Sequence, residues 1–540
     1  MPIAAGQELR DGIRSALLPV APEREDRVVE AVATALARAD VAEEDAASWL
    51  LLELTRWREE GRPSPGLQEA VYAALTAGDQ RFGERLAPKY FDIHEGLQRK
   101  HFLTHDEACI LLSHSLPILR LAADDRCSSA QIAELLTARG VEVASGWKAI
   151  DEILRRLKTS PRMEREVVQK AFALDQQLEE AVFADADVVT AIEIVEAEAE
   201  RLGYDGDLSA HLTGLLADDP PFWPYLQILH YQAMILEQYD HPASYLYVFS
   251  PRGLAGQWLF AQYPDTLVEA GNPFLNNAKS VDVLSRAWAR SKGRPEAHAL
   301  VDLMSGLSGM AFLARRQLAA RLRQMLHRVI RIRSPLDISL PQDLTASQIG
   351  LLLRHVSAGG TQTRGIIEQR VVDALTHALH PEAEGWRPRG LGDSVNANNL
   401  SRRKLGDVDY QRVEDRIVVA YEPHSGCLSP IYIEAHERSL TRALSLRVEE
   451  LEGVAEASQW KVKVRFVSHD TGSSLPEGRD ICGVPVSFAA ETFSDLVRKT
   501  CELDLGPHFR SWVLDPLNDR RTPRSVRERL LEIIGAEGRG

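Results

Sequence analysis

Cysteine is scarce and scattered. Cys109, Cys127, Cys427, Cys482 and Cys501 are odd in number and none forms a Cys-x-x-Cys pair, which argues against a disulfide framework or a structural zinc site. Long apolar runs are missing too: none reaches the roughly 18 residues needed to span a bilayer. The opening residues, Met1-Pro-Ile-Ala-Ala-Gly-Gln-Glu8, lack a basic region followed by an apolar stretch. No secretion signal is therefore expected, and the chain reads as cytoplasmic with no membrane partner. Positive charge is in deficit, with 63 Lys and Arg against 78 Asp and Glu and a net charge of -15. Any phosphate-binding surface must then be a local concentration of Lys and Arg. No Walker A sequence and no Gly-x-Ser-x-Gly elbow occurs, which leaves motor and esterase readings without support. Fixed-period self-similarity is also absent, so a repeat array is not expected.

What is present is the composition of a folded protein, 44% hydrophobic and 26% charged over 540 residues, a length for roughly three domains. The expected class is α+β and multidomain, with a mostly helical N-terminal two thirds and a C-terminal α/β domain. Residues 1–215 carry apolar residues at helical spacing, as in Val28, Val29, Val32, Ala35 and Leu36, interrupted by loops at Gly61-Arg-Pro-Ser-Pro-Gly66 and Ser160-Pro161. Within them, 128–158 has the outline of a helix-turn-helix. Ser129 caps a helix over 130–139, and a second helix over 147–157 carries Lys148 near its start and Arg155 and Arg156 near its end. Two packed helices of a larger bundle would look the same. Residues 216–345 open with Phe222, Trp223, Tyr225, Tyr231, Tyr239, Tyr245, Tyr247 and Phe249, which suit core packing better than base stacking.

The run from Leu303 to Leu336 contains no Asp or Glu but carries Arg315, Arg316, Arg321, Arg323, Arg328, Arg331 and Arg333. A basic helix over 311–333 is expected, with Arg316 and Arg323 as candidate phosphate contacts. A solvated face, or one paired with acidic helices, is the other reading.

From residue 346 the texture changes. Helices over 347–357 and 364–380 precede a polar loop, 386–404, and short β-rich runs at 407–410, 417–421 and 461–467 alternate with helices over 431–451 and 491–501. In Gly406-Asp407-Val408-Asp409-Tyr410 and Ile417-Val-Val-Ala-Tyr421-Glu422-Pro423-His424, a hairpin-like return would bring Asp407 and Glu422 to one sheet edge. Two carboxylates there make a hard-oxygen site suited to Mg²⁺ or Mn²⁺, which activates water and stabilises charge in phosphodiester cleavage.

This order resembles the PD-(D/E)XK, or restriction-endonuclease-like, nuclease superfamily. Its pattern is a helix bearing an acid, a strand with the motif Asp, a strand with Glu-x-Lys, then a helix and a further strand. The resemblance covers roughly residues 346–505. It implies Asp407 and Glu422 as metal ligands and Glu368, on the helix over 364–380, as an accessory ligand or an orienter of bound water. Where the family has lysine, this chain has His424, which titrates near pH 6.5. The lysine role could instead fall to Lys404, three residues before Asp407, or to Lys461 and Lys463. Glu368 also sits four residues after Arg364, the spacing of an ordinary helical ion pair.

The loop before Asp407 holds Arg387, Arg389, Arg402, Arg403 and Lys404 with Asn396, Asn398 and Asn399 and one acid, Asp393. Arg grips phosphates or reads guanine, and Asn reads adenine. His436 and His469 follow, on a helix and at a strand end, with no HNH or zinc spacing between them. The expected activity is a metal-dependent endonuclease acting on nucleic acid, double-stranded DNA first, in a bacterial restriction or phage-defence setting and with a homodimer or protein partner in view. The alternative is a non-catalytic helical DNA-binding or scaffold protein whose nuclease-like domain is degenerate.

Overall fold

The computed structural model describes residues 3–20, 22–218, 221–263, 273–279, 281–333, 338–470 and 474–535. The protein is mixed α+β, and it divides into two compact units: residues 1–171 with 202–320, and residues 172–201 with 321–540. This differs from the three consecutive segments expected from sequence. No helix among the described residues is long and apolar enough to cross a membrane.

The first unit is helical. Its N-terminal core gathers Val28, Val32, Leu50, Leu75, Ile93, Leu112, Ile132 and Ile153 from successive amphipathic helices. The two helices expected between 128 and 158 form, as Ser129–Ala138 and Trp147–Arg156. The cap is Ser128 rather than Ser129, its hydroxyl accepting from the Gln131 N–H at 3.1 Å. The second helix turns Ala149, Ile150, Ile153 and Leu154 into the core. Its Arg155 and Arg156 are bound to buried Glu152, which Lys100 also reaches at 2.9 Å. Lys148, a candidate nucleic-acid contact, pairs instead with Asp282 at 2.7 Å. The middle aromatics are all buried or half-buried, so packing absorbs them.

The basic helix runs from Phe312 to Arg333; residues 334–336 of the acid-free run lie outside the described residues. Most of its charge is consumed internally, which corrects the phosphate-contact expectation. In the first unit Arg316 meets Glu237 at 2.9 Å and Arg315 meets Asp240. In the second, Arg323 is buried against Asp175 at 2.7 Å, and Arg328 and Arg331 share Glu179. Buried guanidinium groups survive only with such partners, because an unpaired buried charge costs several kcal/mol.

The second unit holds a six-stranded sheet. Helix α1 (Ile366–Leu379) leads to β1 (Trp386–Arg389), β2 (Val408–Arg412) and β3 (Ile417–Cys427). Then follow α2 (Pro430–Glu452), β4 (Lys461–Asp470), β5 (Arg479–Ile481), β6 (Val484–Thr492) and α3 (Phe493–Lys499). The strand order is β1-β2-β3-β4-β6-β5. β1, β2 and β3 pair antiparallel, β3–β4 and β4–β6 parallel, and β5 closes the edge antiparallel to β6. The parallel step from β3 to β4 is made through α2, the crossover that parallel neighbours require. Strand alternation divides the core. Val408, Tyr410, Val419 and Tyr421 pack with α1 on one face, whereas Val418, Ala420, Val464 and Phe466 pack with α2 on the other. α1 starts at Ile366, two residues later than expected, because Arg364 and Gly365 take φ of 57 and 85. β1, β5 and β6 were not anticipated; β5 is only three residues long. Pro388 and Pro485 lie within β1 and β6, and a proline lacks the ladder N–H that a strand reading looks for.

Burial alone would raise the Glu152 carboxyl, but Lys100, Arg156 and Arg155 hold it down at about 2. With a depressed pKa, its contribution to stability is present above the ordinary carboxylate range and lost as pH falls through about 2. Glu152→Gln is expected to lower neutral-pH stability by on the order of 1–2 kcal/mol, allowing for solvent screening of the cations. Thermal unfolding at pH 7 and pH 3 checks it: the deficit should shrink at the lower pH.

Candidate functional site

The site begins at the end of the β2–β3 ladder. The β2–β3 register ends with Val408 opposite Tyr421, which leaves Asp407 and Glu422 as the next residues outward. Gly406 permits their close approach, since a Cβ there would come within 2.7 Å of the Tyr421 carbonyl oxygen. The Asp407 N–H donates to Glu422 Oε2 at 3.1 Å. Glu422 Oε1 accepts from the Tyr432 hydroxyl at 3.0 Å and lies 3.2 Å from His436 Nδ1. Tyr432 and His436 are four residues apart on α2, on the turn and face that meet β3. Ser429 caps that helix, accepting from the Tyr432 N–H at 3.2 Å.

The charges here are coupled. Burial opposes ionisation of Glu422, but His436, Tyr432 and Lys404 outweigh it and hold the carboxyl below the usual range. His436 is buried as well, yet the facing Glu422 raises it above the ordinary histidine value, favouring imidazolium. Asp407 goes the other way: burial first, and the Glu422 charge next, push it well above the ordinary aspartate value. The two carboxyls are thus driven in opposite directions, Glu422 toward the ionised form and Asp407 toward the protonated one.

A third acid comes from α1. Asp373 interrupts the apolar run Val371-Val372-Asp373-Ala374-Leu375 and is fully buried. Its Oδ2 accepts from the Gly392 N–H at 3.3 Å and lies 3.2 Å from Arg370 Nη1. Its Oδ1 has no hydrogen-bond partner among the described residues. Burial raises Asp373 to about 6 against the opposing Arg370 charge, and Asp373 in turn raises Asp407. Glu368 does not take this position. Its carboxylate is capped by the hydroxyls of Thr361 and Thr363 at the start of α1, so the expected accessory ligand works as a helix-terminus anchor. Nor does it pair with Arg364, which donates to the Glu180 carbonyl at 2.8 Å.

Lys404 closes the site from the loop. It is 1% exposed, with Nζ 3.1 Å from both the Asp407 carbonyl oxygen and Asp393 Oδ2. Gly390, at φ +89, is packed so tightly that a Cβ would meet the Asp407 carbonyl oxygen at 2.4 Å and Lys404 Cδ at 2.6 Å. His424, two residues along β3 from Glu422, lays its ring on Tyr432 with centroids 4.1 Å apart. Lys461 and Lys463 are exposed and sit in the rows of Ile417 and Val419, whereas Glu422 pairs with Phe466. Asp409, two residues beyond Asp407, is structural: Arg447 of α2 grips both its oxygens at 2.8 Å.

Several expected nucleic-acid contacts are engaged within the chain. Arg402 binds Asp393 at 2.6 Å and Asp187 at 3.4 Å, and Arg389 binds Glu450 at 2.6 Å. Asn396 donates to the Val182 carbonyl, and Asn398 accepts from the Leu400 N–H. Arg387 and Arg403 remain exposed. Beside them in sequence, a groove of about 320 Å³ is lined by Asn398, Leu400, Ala435, Arg438, Ser439 and Arg442. Its two arginines are exposed on α2 and make no ion pair among the described residues. Sequence reasoning passed over Asp373, Tyr432, Arg438 and Arg442; for His436, on the helix after the Glu422 strand, it allowed a place facing the site but favoured a partly exposed one. An acid inside an apolar helical run, and a Tyr and His four apart just after the Glu422 strand, were the available signals.

With a raised pKa, Asp373 lends stability below the ordinary carboxylate range that is lost as pH rises through about 6. Relative to wild type, Asp373→Asn is expected to be more favourable for metal-free stability at pH 8 than at pH 4, by on the order of 3 kcal/mol, because only the aspartate must ionise there. Denaturant unfolding with a chelator at both pH values reads the difference; an equal effect at both would contradict it. No protein-family model matches the chain, and no curated protein matches it at a significant level.

Proposed function

We propose that residues 346–540 are a metal-dependent phosphodiesterase domain of the restriction-endonuclease-like kind, cleaving nucleic acid, with double-stranded DNA as the first candidate substrate. The observation that carries this reading is the meeting of Asp407 and Glu422 at one ladder end, with their ionisation driven apart. A cation held between these carboxyls would relieve the repulsion that raises Asp407. The donor set is all hard oxygen, as Mg²⁺ or Mn²⁺ prefers, and Asp373 adds a buried oxygen without a partner. Asp407 and Glu422 would hold the ion, with Asp373 behind them. When bound, it supplies a Lewis acid and lowers the pKa of coordinated water.

The chain's own groups have separable roles. His436 and Tyr432 orient Glu422 and keep it ionised. Lys404 supplies the fixed positive charge beside Asp407 that the resemblance assigns to lysine, reached from the loop instead of from β3. Arg403, Arg438 and Arg442, exposed and without an ion pair among the described residues, would grip phosphates, with exposed Arg387 beside Glu382 as a further contact. The succession of an acid-bearing α1, β2 with Asp407, β3 with Glu422, α2 and β4 supports the same reading.

One observation favours the non-catalytic alternative: both Glu422 oxygens are already satisfied, by Asp407, Tyr432 and His436. Cleavage of plasmid and linear DNA by the full-length protein with Mg²⁺ or Mn²⁺ separates the two. Asp407→Asn and Glu422→Gln are expected to lower the rate by at least about 10³-fold with the circular dichroism spectrum unchanged, a loss of about 4 kcal/mol in transition-state stabilisation. Activity that persists undiminished in both variants, or no cleavage of DNA or RNA with either metal, would overturn the proposal.

A further inference from the structure

A second metal-binding constellation lies in the helical unit, independent of the carboxylate site. Helix Tyr90–His101 ends at Phe102, and Thr104 caps the next helix, His105–Ser113. The tight turn between them brings His94 of the first helix to His105 and Cys109 of the second. His105 and Cys109 are four residues apart and share a face. One ligand atom from each of the three lies within 4.8 Å of the other two, and Cys109 Sγ is 3.5 Å from His105 Nε2. His94 is 3% exposed and Cys109 2% exposed. The Trp57 ring backs both imidazoles, with centroids 4.2 Å from His94 and 4.7 Å from His105.

His94 Nε2 is buried and has no hydrogen-bond partner among the described residues. A buried polar atom left in that state costs about 1–3 kcal/mol, and buried polar atoms are rarely left so. Apolar packing against Trp57 gives that nitrogen nothing to bond. A cation does. Two imidazole nitrogens and one thiolate form a borderline-soft donor set, which selects zinc over Mg²⁺ or Ca²⁺. Asp106, on the rim, is turned to Arg58 at 3.3 Å. His105 is only half-buried, so the fourth position of a tetrahedron opens toward solvent.

We infer that His94, His105 and Cys109 bind one Zn²⁺ per chain, with a water in the fourth position. On binding, the Cys109 S–H bond breaks, a sulfur–zinc bond forms, and the proton passes to solvent; no electron is transferred. The ion ties two consecutive helices of the N-terminal core together, so loading raises stability by mass action.

Titration of metal-free, full-length protein with Co²⁺ tests the inference. A thiolate-to-cobalt charge-transfer absorption should saturate at one ion per chain, disappear when Zn²⁺ is added, and be accompanied by a higher melting temperature with Zn²⁺. Cys109→Ala should abolish the absorption and His94→Gln should lose most of the affinity, whereas Glu422→Gln should change neither. Absence of the absorption overturns the inference, as does an absorption of undiminished strength in Cys109→Ala, which would place the thiolate elsewhere. If either core variant fails to fold by circular dichroism, half-buried His105→Gln decides: retained absorption at unchanged affinity overturns the site, and its loss supports it.

Discussion

The hydrogen bond from the Asp407 backbone to Glu422 holds two acids at the end of one antiparallel ladder, and their mutual repulsion shapes what surrounds them. Like charges in a partly desolvated setting cannot both ionise without a compensating cation. His436 and Lys404 provide that compensation for Glu422. Lys404 is itself buried and requires Asp393, and Asp393 then draws in Arg402, while its backbone carbonyl receives Arg370. The glycines follow from the same constraint: Gly406 and Gly390 are needed because backbone must pass where a side chain would collide. The loop that reads as a polar linker is thus a packed wall of the site. It is fastened further by Ser394 and Val395, which both donate to Asp185.

Charge is spent differently here from what a count of arginines suggests. In the second unit, the acidic face of residues 175–180 takes up Arg323, Arg328 and Arg331. An acidic protein of this size can carry a long basic helix because desolvated guanidinium groups are stable only where carboxylates meet them. Beside the site, Arg403 on the loop and Arg438 and Arg442 on α2 are exposed and make no ion pair among the described residues, a local positive cluster in a chain of net charge -15.

The two proposed cation sites differ in hardness as well as in construction. One gathers carboxylates on a sheet, with dielectric and charge arranged to favour a hard divalent ion; the other gathers nitrogen and sulfur on a helical hairpin. Neither depends on a contiguous motif. The cysteines fail every spacing rule, yet Cys109 stands beside two imidazoles because a turn of a few residues folds one helix against the next.

Much of the C-terminal architecture was legible in the order of residues. Short β-rich runs located β2, β3 and β4, and the helical stretch over 431–451 located α2, because these signals are local and arise within one element. The pairing of Asp407 with Glu422 was legible for the same reason: a short hairpin leaves a ladder little choice of register. Tertiary structure alone decided which other groups join them. Asp373 displaced Glu368 because only one of these helical positions faces the ladder end, and the neighbouring threonines satisfied the other. Lys404 entered the interior, and Arg316, Arg323, Arg389 and Arg402 were taken up by acids remote in sequence. Sequence determines what a residue is able to do; which partner desolvates or neutralises it is a property of the packed chain, since Coulomb and desolvation energies depend on distances that no local pattern encodes.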